Sequence, residues 1–466
     1  MRIFFLCLLT IALSGCLYYG DIHGNSKKLN PCKLSVHHHY EKPACGKTYI
    51  GWWNQFHDPE LNRLITVALE DSPTMQTAEA RIRDALHLAE ETAASLTWPQ
   101  VDLSGYLQRQ HFPEFGLAPP PFNGLTFNIG EIGFNFNYDF DFWGKNRETL
   151  RATINEERAT VAELANARLV LSAAVASTYF QLCNENSQIK IALKRWKINK
   201  ELFDISTARA KRDIYSAIPV KTAESNAENA KQILETHRQT AELLQHELAL
   251  LLGKNALTTT IDTHCTLRPY FVKLPACLPA HLLAARPDIQ AAKLRTEAAA
   301  NRICVSKARF FPDINLVGLL SYQSVKLNRL FSSVSYNNAI TGAFDLPIFD
   351  AGARRANLKE KYAEYDIAVG QYNQTILQAL RDVADQLTLL KSIRRQLSAQ
   401  LISKNAISHN YQLTLSRYHN GITDDIVVMQ NKELLLQQEA LLLNLQTSQA
   451  QSMVALLKAL GGNDGC

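Results

Sequence analysis

The sequence of 466 residues predicts a mainly α protein with a membrane β part: a long α-helical coiled-coil tunnel continuous with a transmembrane β-barrel, four strands per chain and twelve per trimer. Three observations carry that prediction. Helical text runs without a proline or a turn cluster from Lys145 to about Arg212 and from Ala351 to about Arg417, each about 100 Å long at about 1.5 Å per residue. Four shorter segments alternate apolar and polar residues with the side-chain period of a strand. The order of these elements then recurs at a constant offset, Gly144 matching Gly352, Arg209 matching Arg417, and Leu252-Gly253 matching Leu460-Gly461; a repeat of this size governs the whole fold assignment.

From the start, residues 1–15 read as a secretory signal: one Arg, an apolar run from Ile3 to Leu13, then small residues. Leu13-Ser14-Gly15-Cys16 resembles a lipobox, so Cys16 is the expected site of lipid attachment and residues 16–50 a lipid-anchored N-terminal segment. Several acyl chains on one cysteine anchor stably where a single chain is marginal. Beyond the signal, no charge-free apolar run reaches about 18 residues. Leu169 to Cys183 comes nearest, so no transmembrane helix is expected. The net charge of +5 arises from 49 basic and 44 acidic residues interspersed along the chain, and no basic block marks nucleic acid as a partner.

Of nine cysteines, Cys7 leaves with the signal and Cys16 goes to lipid. The odd remainder leaves at least one thiol free in an oxidising compartment. Local spacing offers Cys32 with Cys45 and Cys265 with Cys277 as disulfide pairs, while Cys183 and Cys304 sit in helical text and read as buried apolar residues. His37-His38-His39 reads as a solvated loop, because three adjacent histidines cannot all face one ion in regular structure. No metal site and no cofactor is expected.

Residues 51–253 make a first helix-hairpin-helix repeat and residues 286–461 a second, joined by a connector at 254–285 and followed by a tail at 462–466. Ser72-Pro73 opens a helix ending near Pro99, and Arg286-Pro287 opens one ending near Pro312. Strands are expected at about 101–110, 128–142, 313–323 and 337–348. They close as hairpins through Phe112 to Thr126 and the Ser-rich Ser324 to Ser335. In the second strand, aromatic rings alternate with amides and carboxylates, which suits lipid outside and water inside. Phe134, Phe136, Tyr138 and Phe140 are expected to face lipid, and Asn135, Asn137, Asp139 and Asp141 a lumen. Pro347 fits only where the last ladder stops. In the second long helix, Ile376, Leu380, Val383, Leu387 and Leu390 step by four and three, which is coiled-coil spacing.

An open sheet edge in lipid leaves backbone groups unpaired at several kcal/mol each. About eight strands is the practical minimum for a barrel. Four strands must therefore borrow from copies of the same chain; three copies supply twelve and leave room for water, although closure alone leaves other ring sizes open. With Cys16 at the periplasmic face, the hairpin loops lie outside and the long helices descend into the periplasm.

Four segments together resemble bacterial outer membrane factors, the TolC-like channel proteins, and among them the lipid-anchored OprM/NodT branch. They are the Leu13-to-Cys16 lipobox; Trp52-Trp-Asn-Gln-Phe-His-Asp-Pro-Glu-Leu61; Arg286-Pro-Asp-Ile289 with its Ala-rich helix to Phe311-Pro312; and Phe344-Asp-Leu-Pro-Ile-Phe-Asp-Ala-Gly352. The resemblance implies a homotrimer surrounded by outer membrane lipid, an exit duct with no chemistry of its own. It would be joined by a periplasmic adaptor protein to an inner-membrane pump. It also implies that the two helix–helix turns, placed by the repeat offset at 210–218 and 418–426, form adaptor-docking tips and a closable aperture.

At those tips the candidates are Asp213, Tyr418, Gly421, Asp424 and Asp425. Gly421 suits the left-handed residue that commonly ends a helix, a conformation its counterpart Asp213 tolerates less well. Asp424 and Asp425 open the next helix, where they either meet its positive end or, triplicated, place carboxylates near a constriction and select cations. The family's usual aperture acids fall on Val427 and Gln430 here, whereas Tyr418 matches its aperture tyrosine. The resemblance therefore locates the gate without supplying its chemistry.

No nucleotide-binding, zinc-protease, hydrolase or CxxC motif is present, and no catalytic residue is expected. Asp139-Phe-Asp141 belongs to the strand alternation rather than to a metal site. The alternative is a periplasmic coiled-coil structural or adaptor lipoprotein, which accounts for the helices but gives the aromatic hairpins no use. Composition does not encode the cargo.

Overall fold

A computed structural model describes residues 22–29, 51–116, 120–212, 216–257 and 285–462. After a short 3₁₀ turn at Trp52–Phe56 come α1 (Pro59–Asp71), α2 (Pro73–Thr97), β1 (Gln100–His111), β2 (Thr126–Phe140), α3 (Lys145–Ala210) and α4 (Ala217–Leu251). The order then repeats with α5 (Pro287–Ala308), β3 (Asp313–Ser324), β4 (Tyr336–Asp345), α6 (Ala353–His419) and α7 (Asp425–Ala459). These elements sort into two compact units that cut across the repeats. One draws on residues 81–161 and 291–373 with the N-terminal stretch to Lys28, the other on residues 29–80, 162–290 and 374–466.

The first unit holds one antiparallel sheet in the order β1-β2-β3-β4. Phe134 lies opposite Leu103 on β1 and Leu320 on β3, and Ile340 on β4 lies opposite Gly318. Gly133 approaches Ser321 too closely to accommodate a Cβ, which is why glycine interrupts the alternation there. Asn155 bonds Asn301 at 3.0 Å and Arg302 bonds Glu156 at 2.9 Å, tying α3 to α5. Ile303, Phe310 and Leu358 make a core that Ile22, Tyr362 and Tyr365 cover. The N-terminal stretch is strapped to α6, with Asp366 accepting from the backbone N–H groups of Asn25 and Ser26 at 3.0 and 2.9 Å.

Asp141 departs from the expected lumen position. β2 stops at Phe140, and the Asp141 carboxylate accepts from the backbone N–H groups of Asn146 and Arg147 at 3.0 and 2.8 Å. It satisfies orphan donors in the first turn of α3. Asp350 does the same for α6, accepting from Gly352 and Arg354 N–H at 3.0 Å each. Gly144 and Gly352 follow with φ of +78° and +88°, a region where a side chain is strained. The last ladder ends at Asp345, and Pro347 beyond it accepts a bond from Arg354 through its carbonyl at 3.0 Å.

In the second unit, α3 runs antiparallel to α7. Asn184 meets Asn444 at 3.0 Å, Gln188 meets the Ala440 carbonyl at 2.9 Å, and Arg195 meets Glu433 at 2.7 Å. Helices α6 and α7 form a hairpin bonded through Gln400 and Gln438 at 2.8 Å, and His237 of α4 reaches Glu185 of α3 at 2.6 Å. A stretch of α3 is apolar enough by length and composition to cross a membrane, closer to that limit than the sequence reading allowed. Its Val175, Ala176, Tyr179 and Phe180 are nevertheless buried inside this unit. Phe56 packs on Phe180 at 5.1 Å, and the Trp52 indole donates to the Ser172 hydroxyl at 3.2 Å.

Both cysteines read as buried apolar thiols differ from expectation. Cys183 is buried but disulfide-bonded. Cys304 is a free, exposed thiol, because it falls off the stripe of Ala291, Ala298, Ala299 and Ile303 that α5 buries. The pairs Cys32 with Cys45 and Cys265 with Cys277 lie outside the described residues, as do Cys16 and His37 to His39.

The glycines of the repeat close the long helices. Gly253 N–H bonds the Leu250 carbonyl and Lys254 N–H the Ala249 carbonyl, and Gly461 and Gly462 repeat the pattern on Lys458 and Leu457. Both are Schellman caps. At the other end of the unit's N-terminal part, Asp58 accepts from Glu60 and Leu61 N–H at 3.0 and 3.1 Å and from the Tyr179 hydroxyl at 2.8 Å. Asp58→Ala should cost about 1–2 kcal/mol, and Asp58→Asn, which still accepts, markedly less; thermal unfolding of the purified protein compares the two.

Candidate functional site: a two-faced sheet and a helix tip

The register sorts the sheet into two chemically distinct faces. On one lie Val101, Leu103 and Leu107 of β1, Ile132, Phe134, Phe136, Tyr138 and Phe140 of β2, Ile314, Leu316 and Leu320 of β3, and Ile340 and Phe344 of β4. Many are open to the surroundings, Leu107 by 74 % and Ile340 by 84 %. A sheet in water buries its apolar face, so this one needs a different medium or a partner.

The other face carries Asp102, Glu131, Asp139, Asp313 and Asp345 together with Ser104, Asn135, Asn137 and Gln323, and no ladder position on this face holds Lys, Arg or His. Glu131 accepts from the Tyr106 hydroxyl at 2.8 Å and from Gln323 at 3.0 Å, and Asn135 donates to Ser104 at 2.6 Å. Asp313 and Asp345 lie opposite one another, and Lys145 reaches Asp313 at 2.6 Å. Asn135, Asn137 and Asp139 thus share this polar face, and Phe134, Phe136, Tyr138 and Phe140 share the apolar one. Glu131 and Asp102 escaped the sequence reading, although the same period of two would have found them.

The turn after α6 brings the tip candidates together. Gly421 has φ +71°, its N–H bonds the Tyr418 carbonyl, and Ile422 N–H bonds the Arg417 carbonyl, each at 2.9 Å; this is again a Schellman cap. Asp424 occupies the N-cap of α7 but makes no side-chain cap bond. Its carboxylate is gripped by Arg209 of α3 instead, Nη1 to Oδ2 at 2.7 Å and Nη2 to Oδ1 at 2.8 Å, with Asp425 at 3.3 Å from the same guanidinium. The repeat marks Arg209 by its match to Arg417, but its pairing with Asp424 spans 215 positions and has no local signal. Asp213 lies outside the described residues.

These charges set opposite titrations. Hydrogen bonding from Arg209, then from Asp425, holds Asp424 well below the ordinary carboxylate range. Sharing a hydrogen bond with Asp424, then partial burial, pushes Asp425 up.

A profile of the outer membrane efflux protein family matches residues 64–254 and 278–462. The chain belongs to the outer membrane efflux protein family. Multidrug resistance outer membrane protein MdtQ of Escherichia coli is 28 % identical over 419 residues, covering 88 % of this chain and 87 % of that protein. Multidrug resistance outer membrane protein MdtP of Escherichia coli is 25 % identical over 462 residues, 97 % of this chain and 94 % of that one. The crystal structure of the outer membrane protein VceC from Vibrio cholerae superimposes with a TM-score of 0.78 at 28 % identity, covering 89 % of this chain and 99 % of that one. For this efflux family member the mainly helical fold with a small antiparallel sheet, read from the repeat, is therefore shared with a solved outer membrane protein.

Asp424 lends the tip stability that is present above its unfolded value of about 3.9 and is lost only as the pH falls through its lower folded value. Asp425 acts in the opposite sense, since its ionised form is disfavoured in the folded tip and stability returns as the pH falls through its raised value. Acidification from pH 7 to about 5 should therefore leave the Arg209–Asp424 contact in place. Arg209 and Asp424 are 27 % and 43 % exposed, so solvent screening limits their pair to at most about 1 kcal/mol. Asp424→Asn should lower amide-exchange protection across residues 417–427 by up to about fivefold, and Asp425→Asn should not lower it.

Proposed function

We infer that this chain is the outer membrane channel of a tripartite efflux system. It would be a passive exit duct from periplasm to exterior, coupled through a periplasmic adaptor to an inner-membrane pump. One observation carries the reading: a sheet with one apolar and one acidic face, in which β1 and β4 each pair on one side only among the described residues. In lipid such edges must be closed, and four strands close around water only with strands from further copies. A homotrimer supplies twelve, with Phe134, Phe136, Tyr138 and Phe140 toward lipid and Asn135, Asn137 and Asp139 toward the lumen.

The lumen would then repeat Asp102, Glu131 and Asp139 three times without compensating cations from the ladder, a ring arrangement that favours cations. The tip at Tyr418, Gly421, Asp424 and Asp425 would be the periplasmic aperture and docking end, latched within each chain by Arg209. Lipid on Cys16 would anchor the assembly. The names of the Escherichia coli relatives support small drug-like molecules as cargo.

Two measurements test this reading. In planar bilayers, Asp102→Asn with Glu131→Gln should reduce cation preference at unchanged pore number, and Arg209→Gln or Asp424→Asn should raise mean conductance. Currents identical to wild type in all of these variants would remove the lumen and latch assignments. Phe136→Asp should abolish outer-membrane insertion and trimer formation; a water-soluble wild-type monomer would refute the channel and favour the adaptor alternative.

A further inference from the structure

The Ser-rich loop between β3 and β4 plays no part in the duct described above, yet it folds back onto the apolar face of the sheet. Gly130 lies on that face of β2 and is buried. A Cβ there would meet Leu327 Cδ2 at 2.8 Å, Leu107 Cδ2 at 3.1 Å and Leu330 Cδ2 at 3.5 Å. The missing side chain is thus the niche that seats the loop's 3₁₀ turn, Leu327–Arg329. Phe331 packs on Tyr322 at 6.3 Å, and Tyr322 on Tyr336 at 6.2 Å.

Serines hold the backbone at each basic residue of this loop. Ser324 Oγ donates to the Lys326 carbonyl at 3.0 Å and accepts from Lys326 N–H at 3.1 Å. The hydroxyls of Ser332 and Ser335 both donate to the Arg329 carbonyl at 2.7 Å. Lys326 and Arg329 therefore flank one ordered turn on an apolar platform. The segment 324–335 contains no acidic residue, and Arg109 lies on the same sheet face at the same end. Phe331 and Val334 stand 74 % and 81 % exposed beside them.

An apolar strip rimmed by tyrosines and topped by cations matches the boundary between hydrocarbon and headgroups, where aromatic rings and basic side chains anchor membrane proteins. Guanidinium and ammonium groups at that depth bind phosphate. We propose that the loop 324–335, with Arg109, is a binding site for a phosphorylated lipid of the outer leaflet. Its phosphate sits against Lys326 and Arg329, and its acyl chains lie on Leu107, Leu327 and Phe331. This rests on the lipid-facing reading of the apolar face; charge complementarity and continuity with that face select lipid as the occupant.

Native mass spectrometry and thermal melting of the full-length protein in non-ionic detergent test the site, using bisphosphorylated lipid A, its dephosphorylated form and inorganic phosphate. Retention of the phosphorylated lipid with a raised melting temperature, and no comparable effect of the other two, is expected. Lys326→Gln with Arg329→Gln should weaken that binding at least tenfold while bilayer conductance stays at the wild-type level. Gly130→Leu, which fills the niche without removing a charge, should weaken it as well. Equal binding of the two glycolipids, unchanged binding by the double variant, or an equal effect of inorganic phosphate overturns the site. Failure of the wild-type protein to insert and conduct would instead strike the channel reading beneath it.

Discussion

A backbone N–H or C=O left without a partner in hydrocarbon costs several kcal/mol, and among the described residues the outer edges of β1 and β4 pair with no further strand. β1 and β4 end a four-stranded ladder whose apolar face is open. One edge alone, repeated along ten or more residues, outweighs the roughly 5–15 kcal/mol by which a domain is ordinarily stable. On the channel reading proposed above, assembly is part of folding for this unit rather than a later association. The polar face is equally unsuited to a dry interior, since Asp102, Glu131 and Asp139 would need cationic partners that this face of the ladder does not provide.

Strand must become helix within a few residues at two places, and the chain handles both with the same chemistry. An aspartate accepts the first free N–H groups of the helix, Asp141 for α3 and Asp350 for α6. A glycine with positive φ turns the backbone just ahead of the helix. Trp143 adds a stacked contact with Phe311 at 4.7 Å and donates to the Pro312 carbonyl at 2.8 Å. The junction thus combines aromatic packing with first-turn donors that are paired, Asn146 and Arg147 of α3 and Arg354 of α6 each finding a carboxylate.

The helical unit is held differently. Its α3–α7 seam carries amides and an ion pair where an ordinary bundle would carry leucine, with Asn184, Gln188 and Arg195 facing Asn444, Ala440 and Glu433. Such bonds add modest net stability, but they fix register, because a slip of one turn would leave buried polar groups unpaired. The seam ends at Arg209 with Asp424, a partly exposed and weaker pair. Strength falls toward the tip, since the Arg209 pair is more exposed than the Arg195 pair.

Most of the architecture was legible in the sequence, for local reasons. Alternation, helix length, glycine caps and the repeat offset depend on neighbours within a few residues or on one chain being compared with itself, so a reader of the sequence can recover them. Phe134 to Phe140 and Asn135 to Asp139 fall on opposite faces because the period of a strand is two. Asp141 continued that period on paper and left it in space, because the first turn of a helix had unpaired N–H groups within its reach. Tertiary structure alone decided the rest: the grip of Arg209 on Asp424 across 215 positions, the disulfide at Cys183, the exposure of Cys304, and the seating of Leu327 over Gly130. Each depends on which distant surfaces meet, and period and propensity carry no information about that.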